Sequence, residues 1–524
     1  MAYDIIIKGG AVLDGTKTKM RTVDVGINGK EIAAIGSLDP PQAKIIVDAA
    51  GKYVTPGFID ITNHSDTHLT LFKYPAQESL LMQGVTTIIG GNCGASLAPL
   101  GSSHALEAVR KWANPSEINV NWTRVGEFLD EVAKLRLGIN FGTLVGHGTL
   151  RRGVIGGESR SLNIDERARV KLLLSEGLKE GAFGFSLGLA YGHERVAATE
   201  ELLDLCAPLK EQGGLLKIHL RSEGRELIAS INEVIRISRE AAIPVEISHL
   251  KAIGRKTWPA LPKALEMIQN ASTSGADITF DVSPYSTTGS LLYLLVPSWA
   301  RENGFRELFQ KIRKPDERER IIEAIEASTL HYDKILIVSA KMNSIVGKTL
   351  AEIAEHSGLR PAEAILDTIR ANEGRVKIVG KTLSTKNTAL AVAYPNSIVA
   401  SDGAGYSQEE QKSGNLVHPR SFGAFSHFWH HFVNDLKVLS AEEAIQKIAS
   451  RPAERIGIKG RGVLKKGNFA DIAVFDPRLI RDRATYKNPF RYPSGIEWVL
   501  VNGKVAVENG RYTGIRAGHV IKRT

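Results

Sequence analysis

The sequence has 524 residues, 43% of them hydrophobic, enough for one large core and a smaller satellite, and its 50 glycines are scattered rather than periodic, which excludes collagen-like and low-complexity architectures. Two cysteines exclude a disulfide framework, and no run approaches the roughly 20 apolar residues of a membrane span, so a cytoplasmic globular protein with no membrane partner is expected. The formal charge of +10 is dispersed through mixed-sign runs such as RKPDERER at 313–320, without interleaved aromatics, which argues against a nucleic-acid partner.

In chain order, the first segment alternates in strand fashion, with Asn28-Gly29 as a hairpin signal. Short apolar runs alternating with amphipathic stretches follow, the mark of βα units on a parallel sheet. The strand candidates are 57–61, 85–91, 139–146, 182–188, 215–220, 244–250, 277–282 and 396–402, with helical stretches such as 165–181 and 226–241 between them. Eight such strands predict an α/β chain built on a TIM (β/α)8 barrel. The connection from the seventh to the eighth is far longer than a βα loop needs, and predicted helices at 316–328 and 357–372 make it a helical insertion at about 296–390, a lid near the mouth. The chain closes on a second alternating segment with Asn502-Gly503 as its turn. The expected organisation is a small β-sandwich built from residues 1–55 and 451–524 around a barrel of residues 56–450.

Polar groups at the C-terminal ends of barrel strands are where catalysis is expected. There the chain has TNHSDTH at 62–68, GGNCGAS at 90–96, His219, His249 and Asp402. Taken alone, Cys93 reads as a small buried cysteine, the role that also suits Cys206. Two histidines ending consecutive strands, on a barrel that also offers a thiol, point instead to a shared metal. Asp402, ahead of Gly403-Ala404-Gly405, is placed for a general base, with a turn aspartate as the alternative.

These residues, with VTPGFIDI, TTIIGGNCGAS, VGHGTLRR, GFSLGLAY, KIHLRSE, ISHLKAIG, DVSPY, SDGAG and HPRSFGAF, resemble the amidohydrolase superfamily and within it the N-acyl-D-amino-acid deacylases, over nearly the whole chain. The resemblance implies zinc (Zn2+) held by Cys93, His219 and His249, with Asp402 as catalytic acid/base. Most amidohydrolases use a carboxylated lysine after the fourth strand, which AFGFSLG lacks, and the deacylase branch uses a cysteine in its stead. It also implies Lys251, Tyr285 and Arg420 as groups gripping the carboxylate of a small substrate, with Tyr191 and Ser290 lining the pocket. The chain departs from the family at the first strand, where Thr62 replaces the first histidine of a His-x-His pair and His64 alone matches the second, as a possible extra ligand; Asp66 and His68 are expected to be solvated or structural. The implied reaction is hydrolysis of N-acyl-D-amino acids. The alternatives are a cyclic-amide hydrolase of hydantoinase or dihydroorotase type, and a catalytically silent barrel serving as an interaction scaffold.

Overall fold

The computed structural model describes residues 3–39, 43–301, 304–328 and 330–524. Eight parallel strands follow one another around a ring: Phe58–Asp60, Val85–Gly90, Asn140–Thr143 continued by Val145–Gly146, Gly184–Gly188, Leu215–His219, Val245–Ile247, Ile278–Val282 and Ser397–Val399. The ring closes where Asp402 N donates to Thr62 O at 3.0 Å and Asn63 bridges to Gly403 in parallel. All eight expected strands are therefore present. Their near-continuous burial follows from helices covering the outside while side chains fill the inside.

The outer helices begin and pack as their sequences require. Asn163 accepts from Glu166 N at 2.9 Å while the Glu166 carboxylate returns to Asn163 N, and this capping box starts the helix Ile164–Lys179. That helix turns Val170 and Leu174 inward, Leu227–Ala241 contributes Ile231, Val234 and Ile237, and Ala260–Thr273 contributes Leu261, Leu265 and Ile268 to the main core. The helix Ser450–Ile456, beyond the expected barrel end at 450, packs Ala453 and Ile456 with Ile59, Ile61 and Ile89.

The two chain ends join in one nine-stranded sheet, Tyr53–Pro56 pairing antiparallel with Ile472–Phe475. Its separate core includes Ile5, Ile7, Val25, Val54, Ile472, Val474 and Leu500. Asn502 and Gly503, with φ of 49° and 72°, make the tight turn expected between Ile496–Val501 and Lys504–Glu508.

The long insertion is not purely helical. Besides helices such as Pro315–Glu326 and Pro361–Ala371, it carries a three-stranded antiparallel sheet in which Val376–Gly380 lies between Thr288–Leu291 and Ile335–Ala340. Short apolar runs between helices look like further βα units in sequence, and only their pairing distinguishes them. This sheet and the loops around it wall a cavity over the C-terminal ends of the barrel strands.

Candidate metal and active site

Cys93 follows the second barrel strand in a loop that only glycines allow. A Cβ on Gly91 would run into the Leu144 backbone, and one on Gly94 would meet the Glu194 carboxylate. Glu194 is itself fixed by Gly188 N at 2.7 Å and by His147 Nδ1 at 3.1 Å, which puts the His147 of VGHGTLRR to work beneath the loop. Cys93, His249 and Asp402 all take left-handed backbone, with φ of 54°, 38° and 53°. Non-glycine residues hold that conformation at a cost of roughly 1–3 kcal/mol each, and only where the surroundings over-determine it. At His249 the constraint is its own N–H, which donates to Asp281 Oδ1 at 2.8 Å.

The ligand-type atoms of Cys93, His219 and His249 lie within 4.8 Å of one another, and all three residues are buried. Cys93 Sγ is 3.3 Å from His249 Nε2. Burial alone would raise the Cys93 thiol, but the charge of His249 and hydrogen bonds from His219, His249 and His64 hold it well below its ordinary value. A thiolate is thus the stable form. Among the described residues His219 Nδ1 is buried without a hydrogen-bond partner, an orphan that such sites rarely leave unexplained. A thiolate and two imidazoles, with a fourth position open, are a donor set suited to zinc.

His249 is oriented by a residue that the sequence did not single out. Glu223 Oε1 stands 3.1 Å from His249 Nδ1 and accepts from Lys251 Nζ at 2.6 Å. With Nε2 facing Cys93, Nδ1 is left to the Glu223–Lys251 pair, Lys251 Nζ lying 2.8 Å from it, and the carboxylate stands where metal-binding imidazoles usually find their support. The signal was present, a carboxylate four residues after His219 in KIHLRSE, but it looks like any loop glutamate until the sixth strand is laid beside it.

Asp402 bridges two neighbours: Oδ1 is 3.2 Å from His64 Nε2, and Oδ2 accepts from Arg420 Nη1 at 2.5 Å. Burial would raise its pKa, but Arg420, His249 and His64 hold it well below the usual carboxylate range, so it stays ionised. His64 Nε2 lies 4.0 Å from Cys93 Sγ, beside the three-residue cluster. Thr62, where the family pattern has a histidine, is committed elsewhere. Its hydroxyl donates to Asp281 Oδ2 at 2.6 Å and accepts from Lys217 Nζ at 2.7 Å, in a network whose Lys217 and Asp281 side chains are fully buried.

Asp66 is not solvated. It is fully buried, and Oδ2 accepts from Gly91 N at 2.6 Å, tying the first loop to the second strand, while burial pushes its carboxyl up to about 6. His68 Nδ1 is 3.2 Å from the Tyr406 hydroxyl, and its ring stacks near His64 and Trp112 on the cavity wall. Cys206 is a core cysteine, its thiol pushed up to about 12 by burial alone.

A cavity of about 650 Å³ opens over these groups. Its walls include Cys93, His219, His249, Asp402, Lys251, Arg420, Tyr191 and Ser290. Tyr191 packs its ring 5.2 Å from that of His219. Ser290 reaches the wall from the insertion sheet. Tyr285 lines a smaller adjoining cleft with His249, Lys251, Asp402 and Arg420, its ring stacked on His427 at 4.4 Å. Both cations expected to grip a substrate carboxylate already have partners, Arg420 on Asp402 and Lys251 on Glu223.

Residues 46–507 match the model of the amidohydrolase family. The chain belongs to this family. This amidohydrolase is 30% identical over 523 residues to the D-aminoacylase of Alcaligenes xylosoxydans xylosoxydans, covering 100% of this chain and 98% of that one. It is 31% identical over 529 residues to the N-acyl-D-glutamate deacylase of the same organism, covering 99% and 96%. The crystal structure of N-acyl-D-glutamate deacylase from Bordetella bronchiseptica, complexed with zinc and a phosphonate mimic of the tetrahedral intermediate, superposes with a TM-score of 0.84 at 28% identity, over 100% of both chains.

Proposed function

We propose that this amidohydrolase uses zinc to hydrolyse the amide bond of N-acyl-D-amino acids, releasing a carboxylic acid and a free D-amino acid. The observation that carries the reading is the convergence of Cys93, His219 and His249 beside the Asp402 carboxylate, itself held by His64 and Arg420, in the wall of one cavity. In this reading Cys93, His219 and His249 hold the ion, and His64 stays on Asp402. Bound there, zinc supplies a Lewis acid for the acyl carbonyl and lowers the pKa of a coordinated water towards roughly 7.

The chain's own residues do the rest. Asp402, fixed on both oxygens, accepts the proton of the attacking water and returns it to the leaving nitrogen. Arg420 spends one Nη1–H on Asp402, and its planar fork has further donors for the substrate carboxylate. Lys251, paired with Glu223, offers its remaining N–H donors on the same cavity wall, and Tyr285 lines the adjoining cleft together with Arg420. Fixing the carboxylate on one side and the carbonyl on the other leaves room for one enantiomer, and Tyr191 and Ser290 shape that room.

In this reading the barrel, residues 56–450 with its insertion, is the catalytic unit, and the sheet of the two chain ends is its support. Among the described residues no helix is long and apolar enough to cross a membrane. Two free cysteines suit the cytoplasm.

The test is a panel of N-acyl-D-amino acids, N-acyl-L-amino acids and cyclic amides, assayed for release of free amine with zinc-loaded protein. Turnover confined to the D-series is expected. Turnover of the cyclic amides alone would replace this reading with the hydantoinase type, and no turnover of any member with zinc bound would favour a silent scaffold.

A further inference from the structure

The basic side chains around the cavity are nearly all engaged. Lys251 is held by Glu223, Arg420 by Asp402, Arg221 by Glu233 at 2.7 Å and Arg195 by Glu226 at 3.3 Å, while Lys256 donates to Ala327 O, Arg301 to Val296 O and Ala190 O, and Arg225 is exposed to solvent. Lys377 is different. It lies on the central strand of the insertion sheet, Val376–Gly380, opposite Leu291 of the strand that carries Ser290, and both Lys377 and Ser290 line the cavity. Its side chain is half-buried and makes no hydrogen bond or ion pair among the described residues. The carboxylate that influences it most, Glu410, is already taken by Lys73 at 2.8 Å and by the Tyr74 hydroxyl at 2.7 Å. Leaving a lysine half-buried without a partner is costly, and a chain that does so at a ligand cavity has a use for the charge.

Lys377 also shares its cavity with the reacting centre: His68, His64 and Asp402 line it too, the His68 ring 6.0 Å from that of His64 and His64 Nε2 3.2 Å from Asp402. It stands on a different wall from Arg420 and Lys251, on the lid rather than the barrel. Leu294, Leu295 and Trp299 of the insertion line the same cavity and offer an apolar surface for a short aliphatic stem. We propose that Lys377 is a specificity-determining residue that binds a second carboxylate, so that the preferred substrates are N-acyl-D-amino acids with acidic side chains, N-acyl-D-glutamates and N-acyl-D-aspartates. The inference rests on the deacylase reading and names its substrate class. Burial draws the ammonium down to about 8, which leaves it mostly protonated at neutral pH.

The test compares wild type, Lys377→Met and Lys377→Arg in two ways. One is the ratio of kcat/KM for N-acetyl-D-glutamate and N-acetyl-D-aspartate to that for N-acetyl-D-leucine. The other is calorimetric binding of the same three compounds to zinc-loaded protein in an Asp402→Asn background, where turnover is slow. A hydrogen bond to a charged group is worth about 10- to 100-fold in affinity. Wild type is expected to favour the acidic compounds, Lys377→Met to lose that preference by this factor in both readouts, and Lys377→Arg to keep most of it. Equal losses for all three compounds in Lys377→Met would reduce Lys377 to a structural residue. An unchanged ratio with D-substrates still cleaved would overturn the inference and leave the deacylase reading standing, whereas neither binding nor cleavage of any of them by wild type would overturn both.

Discussion

Replacing Asp402 by Asn changes one property of the site and little else. The amide has the same shape: its carbonyl can still accept from Arg420 Nη1, and its NH2 can donate to His64 Nε2 once that imidazole is neutral and carries its proton on Nδ1. What is lost is the proton acceptor, a group kept ionised through the neutral range by Arg420, His249 and His64 in spite of its burial. A positioned general base contributes about 10²- to 10⁴-fold. At about 1.4 kcal/mol per tenfold, that is roughly 3–5 kcal/mol of barrier. The assay is kcat for an N-acetyl-D-amino acid, with zinc measured on the same sample. Asp402→Asn should retain its zinc and lose turnover by that factor. Near wild-type turnover would refute the proton-transfer role, and loss of the zinc would mean that Asp402 serves as a ligand.

Glu223→Gln leaves the shape of the His249 support but removes its charge, and the effect belongs in metal affinity. Chelator competition should show zinc held about 10- to 100-fold more weakly, with turnover restored at saturating zinc. Lys217→Met strips the ammonium from a fully buried network and leaves Asp281 charged beneath His249 with only the Thr62 hydroxyl and the His249 N–H on its carboxylate. Breaking a buried pair in this way costs about 3–5 kcal/mol, which a denaturant titration would read as a lower midpoint; an unchanged midpoint would show that the network carries no stability.

Much of this was legible in the sequence, for reasons that differ from place to place. The barrel strands announced themselves because parallel strands covered on both faces must be continuously apolar, and His219, His249 and Asp402 stood out as polar residues at their C-terminal ends, whereas Cys93 alone looked like core and drew notice only beside the two histidines and the family resemblance. Thr62 was visible only as a missing histidine, since nothing at Lys217 or Asp281 told of the ammonium and carboxylate that claim its hydroxyl. Asp66 looked like a loop aspartate because its partner, Gly91 N, lies 25 residues away and is a backbone group. The insertion sheet escaped for a similar reason: Ile335–Ala340 and Val376–Gly380 each resemble a βα strand, and pairing across some 40 residues decides otherwise. Lys377 could not be read at all, because a lysine in a strand is ordinarily a solvated one, and only the cavity makes it unusual.

The account stands on the three residues that converge where the second, fifth and sixth strands end. Its most direct test is to measure bound zinc and the turnover of N-acyl-D-amino acids together, in wild type and in Cys93→Ala. Wild type should hold the metal and cleave the amide, and Cys93→Ala should lose both, with circular dichroism showing that the fold survives. A Cys93→Ala protein that is free of metal yet fully active would contradict the account.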